Sequence, residues 1–327
     1  MKHFLRIIAA LAVSAVVPAT QAFAADYRFL ASWDKNYPGV THIAEPFIKN
    51  VEAASKGSMK LIMSGPETVP PFEQLQPVGS GAFQFLFTHG AYHFGTTPFL
   101  AALEALGGDL QSRRAAGVWD VVDKQYQKYG LKLIALTMTP DGGYNIFTRQ
   151  PIGPSGDLQG RKIRGTPTYH SVFRMLGASP VVLPPSDIYT SLEKGVIDGG
   201  AWPVVGLLGY RWYEVAKYLV RPAFGYVAQP IFMNLAAWNK LSDADKKMLL
   251  QEGRRIEDQW DREAARLAAD EEKALLGKGM TITEMGDAQK ARLKQAWSDG
   301  LWELTSQKAK KDIDELRAFG RSKGLAN

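Results

Sequence analysis

Residues 157–203 read DLQGRKIRGTPTYHSVFRMLGASPVVLPPSDIYTSLEKGVIDGGAWP, and the fold is decided there. The apolar and basic run Arg161-Lys162-Ile163-Arg164 predicts a strand that ends on a cation. Gly165-Thr166-Pro167 predicts a turn, followed by a short helix and a strand that stops at Pro184-Pro185. A second helix is expected from Ser186, and a strand Gly195-Val196-Ile197-Asp198-Gly199 runs into Trp202-Pro203. The stretch holds no nucleophile–base pair and no metal-ligand spacing. It reads as a scaffold for holding an anion at Arg164.

The same alternation runs upstream. A strand at 27–33 is followed by a loop with Asn36, Pro38 and Gly39, then a helix at 42–54 with Ile43, Phe47, Ile48 and Val51 at helical spacing. A strand at 59–63, a short helix at 73–78 and an apolar strand at 83–87 come next. This order predicts a parallel sheet with helices on its faces. Ligands of such sheets gather beyond the C-terminal strand ends, which nominates Trp33 and residues 88–93. His89 and His93 stand four apart, a spacing that chelates zinc on a helix. Gly90 between them, the preceding strand and the lack of a third ligand favour a pocket or structural role instead, so no metal is expected. Tyr92 adds a hydroxyl. A helix at 112–129 and a strand at 131–137 lead into Thr139-Pro140-Asp141-Gly142-Gly143, expected as a hinge between two lobes. Tyr144 then opens a strand, 144–149, in the second lobe.

The first residues carry Lys2 and Arg6, an apolar run at 7–17 and Ala22-Phe23-Ala24. That order is expected of a cleaved secretory signal over residues 1–24, which places the protein in the periplasm. No later apolar run is long enough to cross a bilayer, so the chain is not expected to be membrane-embedded. The remaining chain of about 300 residues suggests two lobes. It has no cysteine, so an exported chain must rely on its core, and the 46% apolar content with 8 Trp allows that. The formal charge of +6 is spread along the chain without a basic block interleaved with aromatics, which argues against nucleic acid.

Against this background, Asp157-Leu158-Gln159-Gly160-Arg161-Lys162-Ile163-Arg164 resembles the D-L-x-G-x-K-x-R run of the DctP-like solute-binding proteins of tripartite ATP-independent periplasmic (TRAP) transporters. Leu176-Gly177-Ala178-Ser179-Pro180-Val181 is similar to their G-A-x-P-V segment. Ser186 to Gly199 resembles their E-x-Y-x-A-L-x-x-G-V-x-D-G run, and Trp238-Asn239-Lys240-Leu241-Ser242 their W-x-x-L-S entry to a long helix. The resemblance implies a periplasmic binding protein-like α/β fold of two lobes with a hinge and a long helix spanning both. It implies a binding protein rather than an enzyme, without cofactor, that captures a small organic acid in the cleft and delivers it to the small and large membrane permease subunits. Arg164 occupies the position of the family's carboxylate-pairing arginine, and its planar fork suits two parallel bonds to a carboxylate.

Departures from the family pattern bear on the ligand. The second arginine that many members carry about twenty residues earlier is Tyr144 or Asn145 here. After the V-x-D-G run the chain reads Gly200-Ala201-Trp202, without the glutamate that is common there. One carboxylate with an apolar or aromatic body is therefore expected. The expected ligand-binding residues are Arg164, Trp202, Tyr144, Asn145, Thr166, Tyr92, His89 and Trp33; Tyr169 and His170 read equally as pocket donors or helix-face packing.

From Ser242, helix formers run to about Leu276, roughly 50 Å at 1.5 Å per residue, without a heptad repeat. A strut across both lobes fits this helix, followed by a strand at 280–284 and a last helix at 287–319. The expected boundaries are 25–141 with 228–265 for the first lobe and 142–227 with 266–327 for the second, in a monomer. Two rivals remain at this level. A ligand-sensing subunit for a receptor differs from a transport protein in its partners alone. A secreted hydrolase would need cysteine, G-x-S-x-G or H-E-x-x-H, and the sequence has none of them.

Overall fold

A computed structural model describes residues 25–139 and 142–326. The expected signal segment and two hinge residues, Pro140 and Asp141, lie outside the described residues.

Two sheets form the frame among the described residues. The first has order β2-β1-β3-β10-β4, from β1 (Ala25–Ala31), β2 (Met59–Ser64), β3 (Phe85–Phe87), β4 (Leu131–Thr139) and β10 (Val227–Asn234). β1 is parallel to β2 and β3, whereas β10 runs antiparallel to both its neighbours. The second has order β11-β9-β5-β8-β6-β7, from β5 (Tyr144–Thr148), β6 (Lys162–Arg164), β7 (Ser179–Val181), β8 (Gly199–Pro203), β9 (Tyr218–Phe224) and β11 (Thr281–Glu284). Helices α1 (Glu45–Ala54), α2 (Leu75–Gly79), α3 (Phe99–Leu103), α4 (Leu110–Ala116), α5 (Val118–Gln127) and α8 (Leu235–Asn239) flank the first sheet in sequence. Helices α6 (His170–Met175) and α7 (Ile188–Glu193) belong to the second. The helix expected at 112–129 is two, because Gly117 sits at φ 89° and breaks the run between α4 and α5. The last strand of the 157–203 stretch also begins later than expected, at Gly199.

The lobes are joined four ways. The Gly143 N–H, just ahead of β5, donates to Gly225 O, between β9 and β10, at 2.8 Å. α9 (Asp243–Gly277) is capped by Ser242, whose side chain accepts from the Asp245 N–H. Its first half lies on β4, where buried Glu257 accepts from the Leu136 N–H, Trp119 Nε1 and Arg114. Its second half reaches the other lobe, where Glu271 accepts from the Gly206 and Leu208 amides at 2.7–2.9 Å. One helix therefore grips both lobes through buried carboxylates, each satisfied by fixed donors.

α10 (Asp287–Ser322) is the fourth link and kinks at Ala309. Before the kink Trp297 packs on Tyr144 and Phe224; after it Asp312 accepts from Gln125 of α5 at 2.7 Å. The half beyond Ala309 thus lies on the first lobe, whereas the sequence boundaries assign the whole tail to the second. Its apolar side (Ile313, Leu316) is buried in a core shared with Leu103 and Leu106.

Candidate functional site

Ten side chains close around a narrow slot between the two sheets, with a cavity of about 10 Å³, room for about one water. Trp33 and His89 arrive from the ends of β1 and β3, Tyr92 from the turn after β3, and Gln229 from β10. Tyr144, Arg164, Thr166, Tyr169, Trp202 and Pro203 arrive from the second lobe. The strand-end rule thus locates the slot, and seven of the eight residues expected from sequence meet there.

Arg164 ends β6, which lies between β7 and β8. Its side chain is fully buried. Nε and Nη2 both donate to Leu183 O, at 2.9 and 2.7 Å, and Nη1 to Ala201 O at 3.4 Å. No Asp or Glu among the described residues forms an ion pair with it. A guanidinium carries five N–H donors; three go to these carbonyls and the Tyr92 hydroxyl is a further partner, which leaves one to spare at the slot wall. Burial lowers its proton affinity, which the neighbouring Tyr92 and Tyr169 hydroxyls partly offset. The Trp202 ring lies 5.3 Å from the guanidinium carbon, and its far side packs edge-on against Tyr37 and Trp212. Trp202 is therefore both slot wall and core.

Next to Arg164 the turn needs a glycine. A Cβ on Gly165 would fall 2.5–2.7 Å from the rings of Phe173 and Tyr169. Its absence lets those rings close on the strand end and sets Tyr169 into the slot. His170 instead bonds to Gly165 O at 3.3 Å.

From the first lobe, Trp33 Nε1 donates to Tyr92 Oη at 2.8 Å. Burial pushes the Tyr92 hydroxyl up to about 12, so it keeps its proton at neutral pH. His89 Nδ1 accepts from the Ala91 N–H at 3.2 Å, which leaves the proton of a neutral ring on Nε2. Nε2 lies 2.6 Å from Glu104 Oε1 and 2.8 Å from Tyr144 Oη. The Tyr144 hydroxyl donates to Glu104 at 3.0 Å, and the Ala228 N–H donates to it at 3.1 Å. His93 turns away to Tyr126 at 3.1 Å, so the two histidines serve different partners.

Asn145 is a correction. Successive side chains of a strand face opposite ways, and Tyr144 faces the slot. Asn145 instead lines a groove between the second sheet and α9, where its Oδ1 accepts from Arg221 at 2.9 Å. Glu104 and Gln229 are the residues that sequence reading missed. Gln229 sits in the slot wall and donates to Tyr37 Oη at 2.7 Å.

A description of bacterial extracellular solute-binding proteins of family 7 (DctP) matches residues 31–307. A solute-binding protein of Roseobacter denitrificans is 31% identical over 160 residues, covering 47% of this chain and 49% of the relative, so that match spans about half of the relative's length. A solute-binding protein of Albidiferax ferrireducens is 26% identical over 302 residues, covering 86% of this chain and 87% of the relative. Among solved structures, a TRAP periplasmic solute-binding protein from Desulfovibrio salexigens with bound orotic acid superposes at a TM-score of 0.81 and 20% identity, over 91% of this chain and 98% of that one. The last likeness is one of fold.

Proposed function

The chain belongs to family 7 of the bacterial extracellular solute-binding proteins, the DctP-like proteins of TRAP transporters, and from that premise we propose that it captures a small organic acid with one carboxylate and a flat or apolar body. The anion sits against Arg164, and the slot closes over it. The observation that carries this reading is a fully buried guanidinium that faces a slot and has carbonyls but no acidic partner. Carbonyl bonds alone do not mark a ligand site: buried Arg113 is held by the carbonyls of Gly107 and Leu106, but it lines no slot. Arg164 differs because it lines a slot shared by both lobes. A carboxylate there replaces lost hydration with charge-assisted bonding.

The aromatic walls, Trp33, Tyr92, Tyr144, Tyr169 and Trp202, favour a ring or an apolar body over a polyhydroxylated one. Bound orotic acid in the Desulfovibrio neighbour, a flat ring with one carboxylate, supports that class. The protein works in the periplasm as a monomer and hands its ligand to the membrane permease. No helix among the described residues is long and apolar enough to cross a membrane.

The ligand is found by thermal-shift screening of aromatic acids, 2-oxo acids and dicarboxylates, and its affinity is measured by titration calorimetry. Arg164→Ala is expected to weaken binding by on the order of 3 kcal/mol or more, over a hundredfold, while Arg164→Lys retains part of it. Unchanged affinity in Arg164→Ala sinks the assignment.

A further inference from the structure

The hydrogen bonds around the slot have a direction, and it differs between the two ends. At one end stand donors. Arg164 has an N–H to spare, and Tyr92 Oη accepts from Trp33 Nε1, which leaves its own proton free to donate. At the other end the protons run away from the slot. The Tyr144 hydroxyl gives its proton to Glu104, His89 gives its Nε2 proton to Glu104 or to Tyr144 Oη, and the Ala228 amide also donates to Glu104. Glu104 is buried and is not itself a lining residue; it lies one side chain behind the wall. By ordering these protons it makes Tyr144 Oη an acceptor toward the slot.

We infer that the ligand carries, opposite its carboxylate, an N–H or O–H donor that Tyr144 Oη accepts, and that Glu104 is the positioning residue that sets this preference. The inference rests on the carboxylate reading of Arg164 and deepens it. It also gives a reason for a single carboxylate that does not depend on aromatic walls. A second carboxylate at the far end meets the Tyr144 oxygen, whose own proton is already given to Glu104. A site built to accept a ligand donor discriminates strongly against an analogue that lacks one, because the buried acceptor is then left unpaired.

Two pairs of probes differ by one donor at almost constant shape: pyrrole-3-carboxylate against furan-3-carboxylate, and 4-hydroxybenzoate against 4-fluorobenzoate. Terephthalate supplies the second carboxylate. On the full mature protein, calorimetry is expected to show the donor-bearing member of at least one pair binding about tenfold or more tighter, with terephthalate weakest. Glu104→Gln presents an amide that can donate to Tyr144, which frees the Tyr144 proton for the slot. That variant is expected to flatten or reverse the preference within the pair, a change that a merely structural loss would not produce. Equal affinities within both pairs, no binding of any of the four monocarboxylates, or preference for terephthalate overturns the inference. So does an undiminished preference in folded Glu104→Gln; where that variant fails to fold, Tyr144→Phe, which removes the acceptor together with its bonds to Glu104 and His89, carries the same reading. Arg164→Ala separates the two claims. If it abolishes binding while the pairs stay equal, only the donor preference fails; if it leaves binding intact, the carboxylate reading fails with it.

Discussion

His93 and His89 are four residues apart and sit in different surroundings. Burial holds the His93 ring down to about 3, against an ordinary value of 6.5, and the neighbouring His89 adds to this. Tyr126, whose own hydroxyl is raised well above its usual range by burial, supplies the proton of the bond at Nε2. The unfolded chain takes up a proton at His93 near pH 6.5, and the folded chain refuses it until about pH 3. Stability therefore falls as pH drops through that window, by up to about 1.4 kcal/mol per pH unit from this group. Thermal melts between pH 6.5 and 5, above most carboxylate titrations, are expected to show a shallower slope for His93→Gln than for the parent chain; equal slopes would remove His93 as the cause. At this scale the sequence was legible where a residue's place follows from its strand. Arg164 sits at a strand end, and Trp33 and His89 sit beyond two others. It was not legible for Asn145, whose face depends on the parity of a strand of only five residues. Glu104 gave no local signal either, since a carboxylate after a small apolar helix reads as a surface group until the fold buries it.

Among the elements, α9 was plain from sequence and β9 and β10 were not. The helix announces itself through the Ser242 cap and 35 residues of helix formers. β10 is an interior strand of its sheet, paired on both sides, yet it carries Pro230, and β9 carries Pro222; a proline argues against a strand because it cannot donate to the ladder. β10 accommodates its proline beside β3 and β4 with a register shift at Ile231/Phe232. Missing it concealed Gln229 and the Ala228 amide that anchors Glu104. Within α9, Gly253 sets the approach to β4. A Cβ there would fall 2.1 Å from Ile134 O, a backbone atom that cannot rotate aside. Gly253→Ala gains about 1 kcal/mol of helix propensity, but overpacking costs about 1–3 kcal/mol and is at its upper end against backbone. The net expectation is a loss of about 1–2 kcal/mol, seen as a lower denaturant midpoint at unchanged slope. A midpoint that rises would show that α9 can lift off β4 at little cost.

The whole molecule is two lobes that share a slot of about 10 Å³, too small for an organic acid unless the lobes part. Four covalent links constrain how they do so. Gly143, ahead of β5, and Gly225, between β9 and β10, are bonded to each other, so the strands they serve can bend together there. α9 and α10 are clamped to both lobes, α9 through Glu257 on one side and Glu271 on the other. Such a frame permits a rotation about the paired strands and resists sliding or twisting. Ligand closes the slot only by binding the closed arrangement better than the open one, and the contacts that differ are those that span the lobes: Arg164 to Tyr92, and Tyr144 to Glu104 and His89. Small-angle scattering of the ligand-free protein is therefore expected to give a larger radius of gyration than the protein saturated with its acid. Arg164→Ala at the same ligand concentration is expected to stay at the larger value. A radius that does not change while calorimetry shows the ligand bound would mean that the lobes are already closed in solution, and that the acid enters by local opening of the wall rather than by movement of the lobes.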